Sequence, residues 1–292
     1  MRFRQLRLPA LFLSAGLLFS VGQAETLEPA AVIAVQVRGT VGVAHGPSTL
    51  LHPVQDDAAL AAGDLLETGP DSGVVLVLPN GSTVSLREHS QLAITQVRQA
   101  PFTTPDLVAF DNLKVEPSAS HSSLELKFGE IVVQVRQLLP GSEFSLKTPV
   151  GTAGTRGAAF ALAYAEDADH EAVCLLGTAR GLVRFTPADG QPVEVSVHRQ
   201  VEVSARVGRT GASIQQVQTR LLADEAVDRM ENLNRAARED VNQVLQRAKA
   251  MRHAPQLPAD RTVRPEPLGN PTLDRRPEPP VKPAKPRRPT GN

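Results

Sequence analysis

Residues 147–160 read KTPVGTAGTRGAAF, a proline step at Pro149 followed by Gly151, Gly154 and Gly157 set around Arg156. Proline fixes φ, and glycine permits positive φ or close backbone approach. Apolar strand-like runs stand on both sides, Glu143–Thr148 (EFSLKT) before and Phe160–Tyr164 (FALAY) after. The stretch therefore predicts a tight irregular corner between two strands.

Working outward, the same two-residue period recurs. Leu124, Leu126 and Phe128 alternate with polar residues, as do Phe144 and Leu146, the pattern of a strand with one buried face. Upstream, Ala31–Val37 and Thr40–Ala44 flank Arg38-Gly39, and Gly73–Leu78 and Thr83–Arg87 flank Pro79-Asn80-Gly81-Ser82. Asn-Gly between strand-like runs predicts a hairpin through a type I′ turn. Ser90–Val97 and Gly129–Arg136 continue the series, and downstream come Ala172–Leu176, Gly181–Phe185, Val193–Val197 and Gln200–Val203. Short strands with turn signals between them predict an all-β domain over residues 31–205, an antiparallel sandwich or a solenoid-like β-roll. Within it, residues 100–123 carry Pro101, Pro105 and Pro117 with weak periodicity and read as a surface insertion.

The two ends differ in kind. Arg2, Arg4 and Arg7 precede a short apolar core, Leu8–Val21, and small residues at Gly22 and Ala24, which together predict a cleavable signal peptide over 1–24. The apolar core is shorter than the roughly 20 residues of a bilayer-spanning helix. A periplasmic or secreted protein without a stable membrane span is expected. At the other end Ser213 and Gln216 have the spacing of a capping box. Residues 212–252 lack proline and glycine, and Met230, Leu233, Ala237, Val241, Val244, Ala248 and Met251 form an apolar stripe. One long amphipathic helix is predicted there, either a coiled-coil or partner-binding element or a helix folded back on the β domain. Residues 253–292 are proline-rich and basic and read as a disordered tail.

Candidate chemistry is sparse. Lysine and arginine number 31 against 31 acids, so the basic footprint of a nucleic-acid binder is missing. The single cysteine, Cys174, lies in the apolar run AVCLL and reads as a core residue. The seven histidines are scattered, at spacings that make no metal site. Asp64, Glu67, Glu130 and Glu143 lie on different expected strands, and Asp64 also suits an Asx turn at a strand entry. There is no G-x-S-x-G elbow and no phosphate loop, and the central G-T-A-G-T-R-G lacks the strand-to-helix context of one. No catalytic residue, cofactor or metal is expected. Arg156 is assigned to a carboxylate or to turn carbonyls, with partner contact as its alternative role.

Thr148-Pro149, Gly151, Arg156-Gly157-Ala158 and Phe160 together resemble the T-P-x-G-x-x-x-x-R-G-[TA]-x-F signature of the FecR domain. The resemblance extends to L-x-x-G-D-x-L-x-T-G at Leu60–Gly69, to a [DN]-G-[ST] turn at Asn80–Ser82, and to Ser90 and Leu92. At Asn80 the family more often has Asp. The resemblance implies a bacterial envelope module in which Asp64, Gly81, Pro149, Gly151, Arg156 and Gly157 are motif positions; Gly154 is a structural glycine of the same stretch. It further implies a receptor role: FecR regulators receive a signal from an outer-membrane transporter and pass it to a sigma factor. That relay uses a cytoplasmic segment and a membrane span. With a signal-like N-terminus in their place, the expectation is a non-enzymatic exported protein that binds an envelope protein or cell-wall polymer. An enzyme acting on envelope polysaccharide and a structural spacer are the alternatives.

Overall fold

The computed structural model describes residues 26–102, 114–232 and 235. The signal-like segment 1–24, the tail 253–292 and the expected stripe beyond Met230 lie outside the described residues. In the first half the strands are β1 (Glu28–Pro29), β2 (Val32–Arg38), β3 (Val41–Ala44), β4 (His52–Pro53), β5 (Ala59–Leu60), β6 (Leu65–Thr68), β7 (Gly73–Val77), β8 (Thr83–Leu86) and β9 (Ser90–Gln99). In the second they are β10 (Ser120–Val135), β11 (Glu143–Thr148), β12 (Gly151–Glu166), β13 (Glu171–Pro187), β14 (Val193–Ser196), β15 (Arg199–Gly208) and β16 (Gly211–Leu221). A helix, α1, covers 224–232.

Hydrogen bonds join the sixteen strands into one network, with β16-β15-β13-β12-β11-β10-β8-β7-β2-β5 as its main path. The β10–β11 pair is parallel, and the other strand pairs are antiparallel. The all-β expectation holds, but the strands are not sorted into two separately bonded sheets.

The reason is that three long strands change partners midway. β12 pairs with β11 through residues 151–155 and with β10 through 158–164. β10 pairs with β9 and β11 in its first half and with β8 and β12 in its second. β13 takes β15 in its first half and β14 in its second. Near each switch stands a glycine with positive φ: Gly129 (100°), Gly157 (148°) and Gly181 (79°). In each strand the register of core-facing residues slips by one across that point. In β12 the buried series runs Ala153 and Thr155, then Ala158, Phe160, Leu162 and Tyr164. An extra residue in one strand of a pair does this, because the side-chain period is two. The expected corner at 147–160 is therefore shorter than predicted. Pro149 and Val150 make the turn, and the glycines after it lie inside one continuous 16-residue strand.

One large core cluster collects side chains from both halves, including Leu76, Ile94, Leu126, Ile131, Phe160 and Phe185. Phe160 and Phe185 are fully buried, and each such burial is worth roughly 1.5–3 kcal/mol. Cys174 belongs to this core, and burial pushes its thiol up to about 12. The thiolate is the reactive form. Native protein is thus expected to resist alkylation at neutral pH and to label at Cys174 only once unfolded; rapid labelling of the folded chain would refute that burial.

Two further expectations are corrected. The Pro79–Gly81 loop is not a type I′ turn. Gly81 donates to Leu78, Ser82 and Leu78 pair, and Gly81 has φ 80° while Asn80 does not have positive φ. This is a three-residue hairpin loop, a turn led by proline and closed by a left-handed glycine. The predicted insertion also shrinks. Ser120–Ser123 belong to β10, and the stem is tied by Ala100 N–H donating to Ala119 O at 2.8 Å.

The long helix predicted from residue 212 is contradicted at its start. Ser213 and Gln216 sit in β16, which pairs with β15 from Gly208↔Gly211 to Arg199↔Leu221. A capping box is a local preference, whereas Ala212 and Ile214 pack against the main core, and tertiary packing overrides local propensity. Helix begins only at 224. There Val227 and Met230 pack on the outer face of the sheet over Val132 and Ala179. The fold-back reading of this helix thus holds for its described turns.

Candidate functional site

On the outward face of β11, β12, β13 and β14 lies an open groove of about 680 Å³. Its floor follows from strand register. Ser145 pairs with Gly154, Gly154 with Arg184, and Arg184 with Glu194, so these four residues form one row across four strands. Thr152 and Thr186 pair beside them. Small side chains in the middle leave the floor low. Arg156 and Glu143 line the groove as well, as do Gln137, Ser142 and Leu182.

Arg156 does two jobs. Its Nη2 donates to the carbonyl of Leu139 at 2.8 Å, and its own carbonyl accepts from Leu138 N–H at 2.8 Å. The segment between β10 and β11 is thereby clipped to β12. A turn carbonyl, not a carboxylate, is the acceptor, and the residue stays exposed to the groove. Arg184 lies 3.4 Å from Glu194, with both side chains mostly exposed. Such a pair contributes about 0–1 kcal/mol, and solvent competes for it. A ligand carboxylate or ammonium can therefore re-pair either partner at little cost.

The three glycines of this stretch serve three ends. A Cβ at Gly151 would lie 2.6 Å from the Phe185 ring and 2.8 Å from the Thr186 carbonyl, so this glycine permits close packing of β12 on β13. A Cβ at Gly154 would meet only the Phe144 carbonyl, at 3.8 Å, so its absence shapes the groove floor and not the core. Gly157 supplies the positive φ of the β12 bulge.

The other motif positions stand apart from the groove. Asp64 closes its own turn, with Oδ2 accepting from Ala61 N–H at 2.8 Å and Oδ1 2.8 Å from His45 Nδ1. The carboxylate reaches back three residues, and not two residues on as in the Asx turn its position suggested. Gly81 lies in the β7–β8 hairpin loop and Pro149 in the β11–β12 turn. Of the four acids noted in the sequence, only Glu143 lines this groove. Glu67 accepts from Gln91 Nε2 at 3.0 Å, and Glu130 lines a smaller depression beside α1. Sequence reasoning missed Arg184 and Glu194. The alternation in GLVRF puts Leu182 and Arg184 opposite the buried Val183 and Phe185, but which strand lies beside them is a matter of topology. Among the described residues, no group of three or more His, Cys, Asp or Glu is placed to hold a metal ion. Among the described residues lining the groove the one aromatic side chain, Phe144, is buried, so no exposed ring offers a stacking platform for a sugar.

Residues 64–184 match the family model described as FecR protein. The match includes Asp64, the whole of β12, and Arg184 at its end; β15, β16 and α1 follow it. Two crystal structures of a candidate anti-sigma factor from Parabacteroides distasonis are similar at 15% identity and a TM-score of 0.37. The similarity covers 56% of this chain and 62% of that one, so this chain spans less than two thirds of that protein's length. No curated protein matches the chain.

Proposed function

With residues 64–184 forming a FecR domain, we propose that the chain is a non-enzymatic, exported regulatory protein of the bacterial envelope that binds a protein partner in the groove beside Arg156. One observation carries this reading: Arg156 and Gly157 of the domain's signature, with Gly154 beside them, line an open groove with a low polar floor and easily re-paired charges. An extended polypeptide needs such a floor, with side-chain partners of both signs at its rim. Polysaccharide hydrolysis calls instead for two carboxylates flanking the scissile bond. Here the two acids that line the groove, Glu143 on β11 and Glu194 on β14, stand three strand spacings apart, roughly 14 Å, and Glu194 faces Arg184. Export rests on the N-terminal signal pattern, and among the described residues no helix is long and apolar enough to cross a membrane.

The test is capture from envelope fractions with the chain from Glu25 as bait, beside a Gly154→Gln variant. Glutamine at 154 fills the groove floor, and its Cβ has ordinary space, so the melting temperature should hold. Capture of a defined protein should fall at least about tenfold, or ~1.4 kcal/mol. Equal capture by both baits would refute the groove. Co-sedimentation with wall polymer would move the partner to the polymer class, and cleavage of that polymer would move the protein to the enzyme class.

A further inference from the structure

The last strand of the sheet carries a separate surface. Among the described residues β16 has β15 as its one strand partner, and from Gln216 to Leu221 every residue is exposed. Leu222 N–H donates to His198 O at 2.9 Å, in register with the β15–β16 ladder, so even-numbered residues from 216 to 222 turn their backbone groups toward β15. The N–H and C=O of Val217, Thr219 and Leu221 therefore face outward. Nearer the start of the strand the edge is closed: a one-residue slip between Ile214 and Gln216 reverses the alternation, and Asp189 Oδ2 takes the Ile214 N–H at 3.1 Å. The open part is six residues, about 20 Å of strand. Open edges are usually blunted by lysine, proline or bulges. This one has none of these, and its single charge, Arg220, is held across the strand by Glu202.

We propose that this edge pairs with the same edge of a second copy of the chain, antiparallel about a two-fold axis at Thr219. The sequence is self-complementary in that register and carries the choice of partner. Residue numbers that sum to 438 face one another, so Val217 of each copy meets Leu221 of the other. Both are large apolar side chains left exposed, at 39% and 75%. Thr219 meets Thr219, a favoured cross-strand pair, and Gln218 meets Arg220, so no like charges oppose. A two-fold contact requires such a self-matching patch. The outward-facing groups of Val217, Thr219 and Leu221 complete the ladder, and the two sheets become one. The surface lies outside residues 64–184 and is independent of the groove.

Sedimentation of the whole chain, purified after export, is expected to show a concentration-dependent dimer. Thr219→Pro removes an N–H that points away from β15, so it should give a monomer with an unchanged melting temperature. Thr219→Cys faces itself across the axis, where bonded antiparallel partners have Cα atoms about 5.5 Å apart, within disulfide reach. Mild oxidation should cross-link it quantitatively, while Gln218→Cys, displaced along the edge, should stay uncross-linked; wild-type Cys174 is buried. A chain that is monomeric throughout, a dimer that survives Thr219→Pro, cross-linking that does not favour position 219, or an edge occupied by an extended segment of a different protein would each overturn the proposal.

Discussion

Gly181→Ala is expected to destabilise the domain by roughly 2–5 kcal/mol. Gly181 has φ 79°, where an L-residue costs about 1–2 kcal/mol. Space is the larger problem. A Cβ there would sit 2.3 Å from the Gly157 carbonyl oxygen and 2.9 Å from the Ala158 Cα, both backbone atoms that no rotamer change can move. The bulges of β12 and β13 nest against each other at this point, so relief requires two strands to part. Gly157→Ala should cost less, because the nearest obstacle to its Cβ is the mobile end of Gln137, at 2.8 Å. Gly154→Ala should be close to neutral. Urea denaturation of the three variants checks the order; a Gly181→Ala loss below about 1 kcal/mol would show that the nested bulges yield easily.

Removing one buried carboxylate should cost nearly as much and should also reach the groove. Glu116, 3% exposed, lies on the stem of the 100–123 insertion. Its Oε1 accepts from Leu139 N–H at 2.7 Å, and its Oε2 accepts from Ser120 Oγ at 2.5 Å and Asn80 Nδ2 at 3.4 Å. Glu116→Ala strands these donors in a dry site, at about 1–3 kcal/mol for each group left unsatisfied, and roughly 2–5 kcal/mol is expected. Leu139 is also the residue whose carbonyl holds Arg156. Partner capture should therefore weaken together with the melting temperature, whereas Glu116→Gln, which keeps an acceptor, should lose less of both. A fall in stability with capture intact would separate the stem from the groove.

Asn80 shows how far the sequence could be read at this site. The motif told of a turn, and a turn is present. Its amide, however, donates to Glu116 and to Ser120 Oγ at 3.0 Å, which an aspartate could not do. The exchange of the commoner Asp for Asn at this position is matched by a buried acid 36 residues later, a pairing no local pattern reveals. Most strands were legible because one face is buried, so apolar residues fall every second position. The pattern failed at the bulges, where the core-facing register slips by one; Ser123–Phe128 and Gly129–Arg136 thus read as two strands although β10 is one. β16 was read as helix because its side chains are mostly exposed and carry little period. In the groove, Arg156 stood out as a member of a motif, and Gly154 as a glycine of the same stretch. Arg184 and Glu194 joined them only through pairing of β12, β13 and β14, information that resides in topology.

The midway change of partners also sets the order in which this chain can assemble. β8 pairs with β7, and β9 with β6 and β1, in two groups that among the described residues only β10 joins; the second half of β10 in turn lies between β8 and residues 158–164 of β12. A polypeptide emerging N-terminus first must hold one edge of β8 and of β9 open until β10 arrives, and one edge of β10 open until residues 158–164 arrive, past half its length. Contacts so distant in sequence form slowly. The domain therefore has no early half that closes by itself, and its last long strands complete the sheet that its first strands begin.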